Sequence, residues 1–516
     1  MNPLNKPNSR ILAILILLVV GSTAFPGLTG CGRGSDVWRD TLYAIADSSP
    51  GLDAEAKREV ARFEKALRSK AERKNIARSM RHFKDAFRRV RWSYVEPVDE
   101  GALIDVAIEG LERVEEDVSQ VVAPDEYVDR ALHRMVASLD PHSGYLDAEE
   151  YRDIDIATKG EFGGIGVRAG MDADSGAIRV ISPIEDTPAD RAGIKAGDLI
   201  VKIDGLPIKG MDLAKAVRLM RGAPGADILL TVERDGLRPF DVSITRAVIR
   251  IKSVRWRFEE GVGYLRVSSF NRKVSDGIRQ ALKDLRSKHG SALTGLVLDL
   301  RNNPGGLLDQ ALSLSDAFLD DGVIVSVRGR RERDNRAYKA EDGDISGGLP
   351  MVVLINGGSA SASEIVASAL KENGRALIMG RQSFGKGSVQ TIAPLARSGA
   401  LRLTTALYYG PNGHTIQARG VLPDIVIQEA KTPVSTKNAG RPTLAEEAVP
   451  RRREADLPDA FPAEQEWAKA ARATLWETQC PTTRKEKDHM LGCAHLYLRM
   501  GSVANFLDRV GVLAAM

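Results

Sequence analysis

Several residue types are scarce in this chain of 516 residues. It has three cysteines, seven histidines, 5% aromatic residues and a single long apolar run, residues 11–20. So few cysteines exclude a disulfide framework, and one apolar run excludes a polytopic membrane protein. A net charge of +4 and few stacking rings argue against a nucleic-acid binder. The ordinary apolar and charged fractions, 43% and 28%, exclude wholesale disorder, and the length predicts about three or four domains.

The first 31 residues have the pattern of an export signal. Lys6 and Arg10 flank the apolar run, and Leu28-Thr-Gly-Cys31 follows it. A positive flank, a short apolar core and small residues before a cleavage point are typical of a secretory signal. The ending resembles the bacterial lipobox, which implies that Cys31 is acylated and anchors the chain to the periplasmic side of a membrane. The alternative is an uncleaved signal anchor in which Cys31 has no role.

Export changes the interpretation of the two remaining cysteines. Cys480 and Cys493 form an even pair in an oxidising compartment, where disulfides persist. His489 and His495 lie nearby, but their spacing is not that of a zinc site. The sequence therefore predicts a structural disulfide between Cys480 and Cys493 and no metal.

Residues 32–153 are predicted to be a helical N-terminal region. Apolar residues recur at steps of three and four, as in an amphipathic helix, at Ile76, Met80, Phe83, Phe87 and Val90. Residues 57–92 contain fourteen Lys or Arg and four Asp or Glu. This basic face either contacts anionic lipid headgroups or is the solvated side of the helix.

Residues 154–250 are rich in glycine and in short β-branched strands. Asp235-Gly236 is typical of a hairpin turn, and residues 213–220 have a helical pattern. With Ala192-Gly-Ile-Lys-Ala-Gly-Asp-Leu-Ile200, this order resembles a PDZ domain of the circularly permuted bacterial kind. Such domains bind C-terminal peptides by adding them to a sheet edge.

The PDZ resemblance implies a glycine-rich loop for the peptide carboxylate. That loop would consist of Phe162, Gly163, Gly164, Ile165 and Gly166. Tight turns and close strand packing are an alternative reason for these glycines. Arg168, just beyond the loop, would either couple peptide binding to the rest of the protein or be an ordinary surface charge.

Residues 251–430 alternate strand and helix patterns and are predicted to be an α/β domain. Three segments within it have the composition of catalytic loops. They are Asp299-Leu-Arg-Asn-Asn-Pro-Gly-Gly306, Asn356-Gly-Gly-Ser-Ala-Ser-Ala-Ser-Glu364 and Gly380-Arg-Gln-Ser-Phe-Gly-Lys-Gly-Ser-Val-Gln390. None contains a histidine, so a Ser-His-Asp triad has no local support. A buried lysine can replace histidine if burial lowers its pKa enough to keep it neutral.

The third segment nearly matches a phosphate-binding loop, but Gly387 occupies the position of the Ser or Thr that would hold magnesium. An extended pattern follows it instead of a helix. An ATPase is therefore not expected.

Together these segments resemble the C-terminal processing, or tail-specific, serine proteases. The resemblance extends over residues 94–427, including Leu139-Asp-Pro-His-Ser and the PDZ domain. It implies an α/β protease core of crotonase/ClpP-like ββα units, with an inserted PDZ domain and helical N- and C-terminal extensions. It also implies that Ser361 is the nucleophile, that Lys386 is the general base and that Gln390 orients the lysine.

This reaction needs two oxyanion donors but no metal or other cofactor. The N–H of Ala362 is one candidate, and that of Gly305 or Gly306 is the other. Each segment also has an ordinary structural explanation. Ser361-Ala-Ser-Glu364 fits a helix capping box, Lys386 alone would be a surface charge, and Gln390 would be an ordinary polar residue of a strand. These explanations must hold independently at three sites, whereas one active site accounts for all of them.

The predicted function is that of an exported serine endopeptidase, whose partners are protein substrates bound by their C-terminal tails. The alternative is a catalytically silent PDZ scaffold of the cell envelope. Residues 431–460 are predicted to be a flexible linker and residues 461–516 a helical extension. The terminal regions leave a homo-oligomer or an adaptor protein as further possible partners.

Overall fold

The computed structural model describes residues 50–71, 75–112, 123–172, 175–428, 453–463, 471–483 and 488–511. The predicted leader with Cys31 and most of the predicted linker lie outside these ranges. Within them, every helix is too short or too polar to cross a lipid bilayer.

The described residues form twelve α-helices and twenty strands. The helices are α1 Ala54–Lys70, α2 Ile76–Ser93, α3 Glu100–Glu112, α4 Pro124–Ala137, α5 Ala148–Lys159, α6 Pro188–Arg191, α7 Leu213–Met220, α8 Val274–His289, α9 Leu308–Asp316, α10 Ala362–Glu372, α11 His489–Met500 and α12 Val503–Arg509. The strands are β1 Gly144–Leu146, β2 Glu161–Gly164, β3 Val167–Met171, β4 Ile178–Pro183, β5 Leu199–Ile203, β6 Leu206–Pro207, β7 Asp227–Glu233, β8 Phe240–Thr245, β9 Ala247–Arg250, β10 Val254–Glu259, β11 Val262–Val267, β12 Gly295–Asp299, β13 Val323–Gly329, β14 Arg336–Lys339, β15 Met351–Ile355, β16 Leu377–Gly380, β17 Ser388–Pro394, β18 Ala400–Tyr409, β19 Ile425–Gln428 and β20 Ala473–Trp476.

The N-terminal helices α1 to α4 share one apolar core. The predicted amphipathic stripe is confirmed, since all five of its residues are buried on α2. Phe63 of α1 stacks on Phe83 with ring centroids 3.8 Å apart. Leu401 and Leu403 of β18 belong to the same core. The helical region is therefore packed against the protease region.

A seven-stranded sheet lies at the centre of the protease region. Its order is β10-β11-β12-β15-β16-β19-β20, and its strands are parallel except for the antiparallel pair β10–β11. Every residue of β12 and β15 is buried. This pattern is typical of parallel strands that are covered on both faces.

Different parts of the chain cover the two faces of this sheet. Leu298 and Val353 share a core with α8, α9 and α10, whereas Val297 and Val352 share one with α11 and α12. The C-terminal extension is helical over α11 and α12, but it also adds strand β20, which the sequence did not predict. It completes the protease sheet instead of standing apart from it.

The end of the predicted linker also belongs to the folded protein. Residues 453–463, called the return segment below, pack against the protease region, and Glu454 is fully buried there. Glu454 N–H donates to Phe384 O at 3.1 Å. The prediction of a flexible linker through residue 460 is therefore wrong for residues 453–460.

A second sheet joins the N-terminal region to the protease region. Its order is β1-β18-β13-β14, and β17 also pairs with β18. β1 directly follows Leu139-Asp-Pro-His-Ser143 and pairs antiparallel with β18. This pairing places the motif beside β18. The other neighbour of β18 here is β17, and β17 begins two residues after Lys386.

The inserted PDZ domain has its own sheet and its own core. The sheet order is β3-β4-β5-β7-β8, with β6 paired to β5, so β3 lies at an edge. The chain enters through β2 and leaves through β9, and these two strands pair with each other. α5 extends to Lys159. It crosses the predicted boundary at residue 154, so the regular PDZ strands begin only at Glu161.

Candidate active site

Ser361 occupies a strained turn between β15 and α10. Its backbone has φ +55° and ψ −114°. L-residues rarely adopt positive φ, and such strain is concentrated at functional sites. The turn places Ser361 at the N-terminus of α10, where free N–H groups and the helix dipole favour negative charge.

The carboxylate of Glu364 joins this turn to the loop that carries Lys386. Glu364 Oε2 accepts the N–H of Ser361 at 2.7 Å and the N–H of Lys386 at 2.9 Å. Oε1 accepts the N–H of Gly385 at 2.7 Å and the hydroxyl of Ser383 at 2.6 Å. The backbones of Ser361 and Lys386, 25 positions apart in sequence, therefore meet at one oxygen atom.

Glu364 is fully buried, and burial raises the pKa of its carboxyl to about 7 in spite of the hydrogen bonds that oppose this shift. All four of its partners are N–H or O–H donors, which favour the ionised carboxylate. The sequence suggested that Glu364 caps a helix, and its bond to the Ser361 N–H is one half of that motif. Its contacts with the Lys386 loop were not predicted.

The Lys386 ammonium lies in surroundings that disfavour its charged form. Burial, together with the nearby Arg402 guanidinium, lowers the pKa of Lys386 to about 8. Glu454, Asp140 and Glu364 act in the opposite direction. A lysine in this range is partly neutral in mildly alkaline solution, as a general base requires.

The Asn-Pro-Gly-Gly turn lies against the strained serine. Gly305 has φ +97°, and a Cβ built on it would lie 2.9 Å from Ser361 Cβ and 2.7 Å from Ala360 O. Glycine is therefore required both by the backbone conformation and by the close approach. The sequence placed this turn at the nucleophile, and the structure brings the two together.

The hydrogen bonds distinguish between the two oxyanion glycines. Gly305 N–H donates to Asn303 Oδ1 at 2.9 Å, so this donor is already occupied. Within the described part of the chain, the N–H groups of Gly306 and Ala362 have no acceptor. Gly305 is therefore not a free oxyanion donor, which corrects that alternative. The N–H groups of Gly306 and Ala362 remain as the two candidate donors.

Gln390 is in β17, close to Lys386 in sequence. Its Nε2 donates to Ser388 Oγ at 3.0 Å and to Thr404 Oγ1 at 3.2 Å. No bond from Gln390 to Lys386 is present among the described residues. The orienting role that the resemblance implies for Gln390 therefore stays a prediction.

The Leu-Asp-Pro-His-Ser motif is hydrogen-bonded to Thr404, which is also a partner of Gln390. Thr404 Oγ1 donates to Asp140 Oδ1 at 3.1 Å, and Ser143 Oγ donates to Asp140 Oδ2 at 2.5 Å. Asp140 is 1% exposed. The sequence gave these residues no individual role, because their partner lies more than 250 positions away.

The structure divides the predicted carboxylate loop of the PDZ domain. Phe162, Gly163 and Gly164 are in β2 and pair with β9, so only Ile165 and Gly166 lie between β2 and β3. Gly166 has φ +83° and packs against Thr187. Arg168 is exposed on edge strand β3, where its coupling role stays a prediction.

Cys480 and Cys493, the predicted pair, are joined by a disulfide with Cα atoms 5.0 Å apart. Among the described residues, His133, Asp147 and Glu150 form the one group with metal-binding geometry. Asp147 and Glu150 already cap α5 reciprocally, so their proximity has a structural cause.

The PDZ domain and the protease domain each match a family of known proteins. A model of the PDZ domain matches residues 179–234, and a model of peptidase family S41 matches residues 261–427. A carboxy-terminal-processing protease of Bartonella bacilliformis is 49% identical over 357 residues, which cover 69% of this chain and 76% of that protein. The chain belongs to peptidase family S41. It is therefore a serine peptidase with a PDZ domain.

Further relatives have the same description. The carboxy-terminal processing protease CtpA of Bacillus subtilis is 35% identical, over 61% of this chain and 66% of that protein. Among solved structures, a photosystem II D1 C-terminal processing protease has 29% identity and a TM-score of 0.42, over 67% of this chain and 92% of that chain. The S41 match ends at residue 427, so the return segment and the C-terminal extension lie beyond it.

Proposed function

We propose that this S41 peptidase cleaves proteins that it recognises by their C-terminal tails, with Ser361 as nucleophile and Lys386 as general base. The observation that carries the proposal is the junction at Glu364, which holds the Ser361 turn and the buried Lys386 loop together. The names of the curated relatives support the choice of C-terminal processing.

Ser361 is the nucleophile that attacks the substrate, whereas Lys386 acts in turn as base and as acid. Neutral Lys386 Nζ takes the hydroxyl proton as Ser361 Oγ attacks the scissile carbonyl carbon. The carbonyl oxygen becomes an oxyanion, which the N–H groups of Gly306 and Ala362 stabilise. When the C–N bond breaks, Lys386 gives its proton to the leaving amine and an acyl ester remains on Ser361. Water then attacks the ester carbonyl while Lys386 takes its proton. Lys386 returns that proton to Ser361 Oγ as the ester C–O bond breaks, so the new C-terminal carboxyl group leaves and the serine hydroxyl is regenerated.

The edge strand β3 supports recognition of a peptide terminus. β3 pairs with β4 on one side only, and the Ile165–Gly166 turn precedes it. An extended tail can pair with the other side, while backbone N–H groups of the turn bind its carboxylate. A substrate with an amidated C-terminus should therefore be cleaved more slowly than the same substrate with a free carboxylate.

The experiment for the catalytic proposal uses the full-length protein in detergent and an unstructured protein substrate with a nonpolar C-terminus. Wild type should cleave it, and Ser361→Ala should not. Ser313→Ala, a change of the same kind on α9, is the matched control and should cleave like the wild type. Equal cleavage by wild type and Ser361→Ala would exclude Ser361 as the nucleophile.

We also propose that the protein is exported and anchored through a lipid on Cys31. The charged flank, the apolar run and Leu28-Thr-Gly-Cys31 support this location, and the disulfide is compatible with an oxidising compartment. Metabolic labelling with a radioactive fatty acid should mark the wild type but not Cys31→Ala. Label that persists in Cys31→Ala would contradict the anchor.

A further inference from the structure

The return segment brings one buried carboxylate into the catalytic region. Glu454 begins a short 3₁₀ turn, and its side chain is 0% exposed. The segment continues to Phe461, whose ring lies near that of Tyr94, with centroids 6.4 Å apart. A buried carboxylate destabilises a protein unless hydrogen bonds compensate it, so its partners indicate why it is there.

Both oxygens of Glu454 have partners in segments next to the catalytic residues. His142 Nε2 lies 2.9 Å from Oε1 and 2.8 Å from Oε2. Gln417 Nε2 donates to Oε1 at 2.9 Å. One partner therefore belongs to the Leu-Asp-Pro-His-Ser motif, and the other belongs to the loop after β18.

The contact with Gln417 leads directly to the Lys386 loop. Gln417 Oε1 accepts the N–H of Gly387, the residue after Lys386, at 2.8 Å. A Cβ on Gly387 would lie 2.6 Å from Gln417 N, so the two backbones are in close contact. Glu364 binds the loop from one side, and Gln417, itself held by Glu454, binds it from the other.

The contact with His142 leads to the charges around Lys386. The carbonyl oxygen of His142 accepts the Nε–H of Arg402 at 2.8 Å. Arg402 is the cation whose charge opposes that of Lys386, whereas Glu454 itself favours the charged lysine. Glu454 is therefore connected to the Lys386 loop by hydrogen bonds through Gln417, and its charge also acts on the lysine.

We propose that Glu454 is a positioning residue of the peptidase, which fixes the Lys386 loop through Gln417 and His142 and places a negative charge close to the lysine. The inference rests on the proposed role of Lys386 as general base. It extends the catalytic unit beyond residue 427, where the S41 match ends, to a segment that the sequence assigned to a linker.

The charge of Glu454 has a consequence for pH dependence with a definite sign. The charged groups that act on Lys386 are Arg402 from β18, Asp140 from the turn before β1, Glu364 from α10 and Glu454. His142 also contacts Glu454 and is titratable. Removal of the Glu454 charge lowers the pKa of Lys386, so the neutral lysine persists to lower pH. The acid limb of the kcat profile then moves to lower pH.

Four variants of the full-length protein test the inference. Glu454→Gln removes the charge and keeps the shape, whereas Glu454→Asp keeps the charge and withdraws it from its partners. Asp456→Asn removes an exposed charge from the same 3₁₀ turn and is the matched control. Ser361→Ala tests the proposed function separately. The measurements are kcat and KM against pH, together with the thermal unfolding of each variant.

Glu454→Gln should move the acid limb to lower pH, and Asp456→Asn should not. Glu454→Asp should keep the limb and lower kcat by roughly 10- to 100-fold, since a misplacement of about 1 Å costs about 100-fold. A Glu454→Gln profile equal to the wild type would overturn the inference. A lower kcat with an unmoved limb would also overturn it, because that result marks a structural role only. If Ser361→Ala is active, the proposed function itself fails, and the two failures are distinguishable.

Discussion

Lys386 can act as a base only in the fraction of molecules in which it is neutral. Burial is the largest cause that lowers its pKa to about 8, and Arg402 acts in the same direction. The nearby carboxylates limit the shift, so the lysine is still largely charged at neutral pH. In the proposed mechanism, the ionisation of Lys386 sets the pH range in which the peptidase works.

We therefore predict that kcat/KM of the free enzyme rises with pH and passes its half-maximal value close to pH 8. Below that value it should fall about tenfold per pH unit, because the neutral lysine decreases in that proportion. Lys386→Arg keeps a positive charge but cannot lose its proton, so it should be inactive at every pH. A flat profile, or an active Lys386→Arg, would show that another group is the base.

At the scale of elements, four loops that connect helices and strands form the site. The turn after β12, the β15–α10 junction, the loop before β17 and the turn before β1 converge on Ser361 and Lys386. Ser363 Oγ donates to Asn303 O, which joins the turn after β12 to α10. Glu364 joins this junction to the loop before β17, and Thr404 joins β17 to the turn before β1. Such a site depends on backbone conformation, so its glycines matter as much as its reactive side chains.

Gly305→Ala should abolish most activity while the protein stays folded. The new Cβ would need to shift Ala360 or Ser361, which lie within 3 Å of it. Gly374→Ala is the matched control, since Gly374 also has positive φ, +71°, but nothing within 4 Å of its Cβ position. Both variants should lose at least about 1 kcal/mol of folding free energy from backbone strain, and Gly305→Ala should lose more because its Cβ overlaps neighbouring atoms.

The comparison of kcat and of thermal unfolding for the two variants tests this prediction. Gly305→Ala should lose far more activity than Gly374→Ala at a temperature at which thermal unfolding shows both variants to be folded. Equal activities would mean that the contact between the turn and the serine has no catalytic consequence.

At the scale of the whole molecule, the C-terminal extension is part of the protease fold. α11 and α12 cover the face of the central sheet that contains Val297 and Val352. Arg301, which follows β12, also bonds to Asp488 with nitrogen–oxygen distances of 3.0 and 2.7 Å. The disulfide lies in this extension, so it stabilises the layer that protects the sheet.

Reduction of the disulfide should lower the thermal stability of the whole peptidase. Closure of a loop with a sequence separation of 13 residues stabilises a protein by about 3 kcal/mol in the chain-entropy model. A reducing agent should therefore lower Tm by several degrees in the wild type. The double variant Cys480→Ser, Cys493→Ser should have the lower Tm already and should not respond to the reducing agent. An unchanged wild-type Tm would show that the disulfide does not stabilise the folded core.

Much of the architecture was predictable because local patterns determine local structure. The stripe from Ile76 to Val90 predicted α2, and the alternating strand and helix patterns of residues 251–430 predicted an α/β domain. β20 was not predicted, since its four residues become a strand only by pairing with β19. Glu454 was missed for a similar reason. It follows three arginines in a polar segment, and nothing in that composition indicates burial.

The sequence by itself determined the candidate nucleophile and base, the disulfide pair and the order of the domains. Those features are visible as residue types at fixed spacing, and a resemblance can be read from them. Only the tertiary structure decided that Glu364 binds both catalytic loops, that Gly305 has already used its N–H, and that the return segment reaches the site. These are contacts between residues that are distant in sequence or between specific atoms, so the folded chain alone brings them together. The histidines show the same difference between sequence and structure. None of the seven lies in the three catalytic segments, but His142 is linked to the Lys386 loop through Glu454 and Gln417.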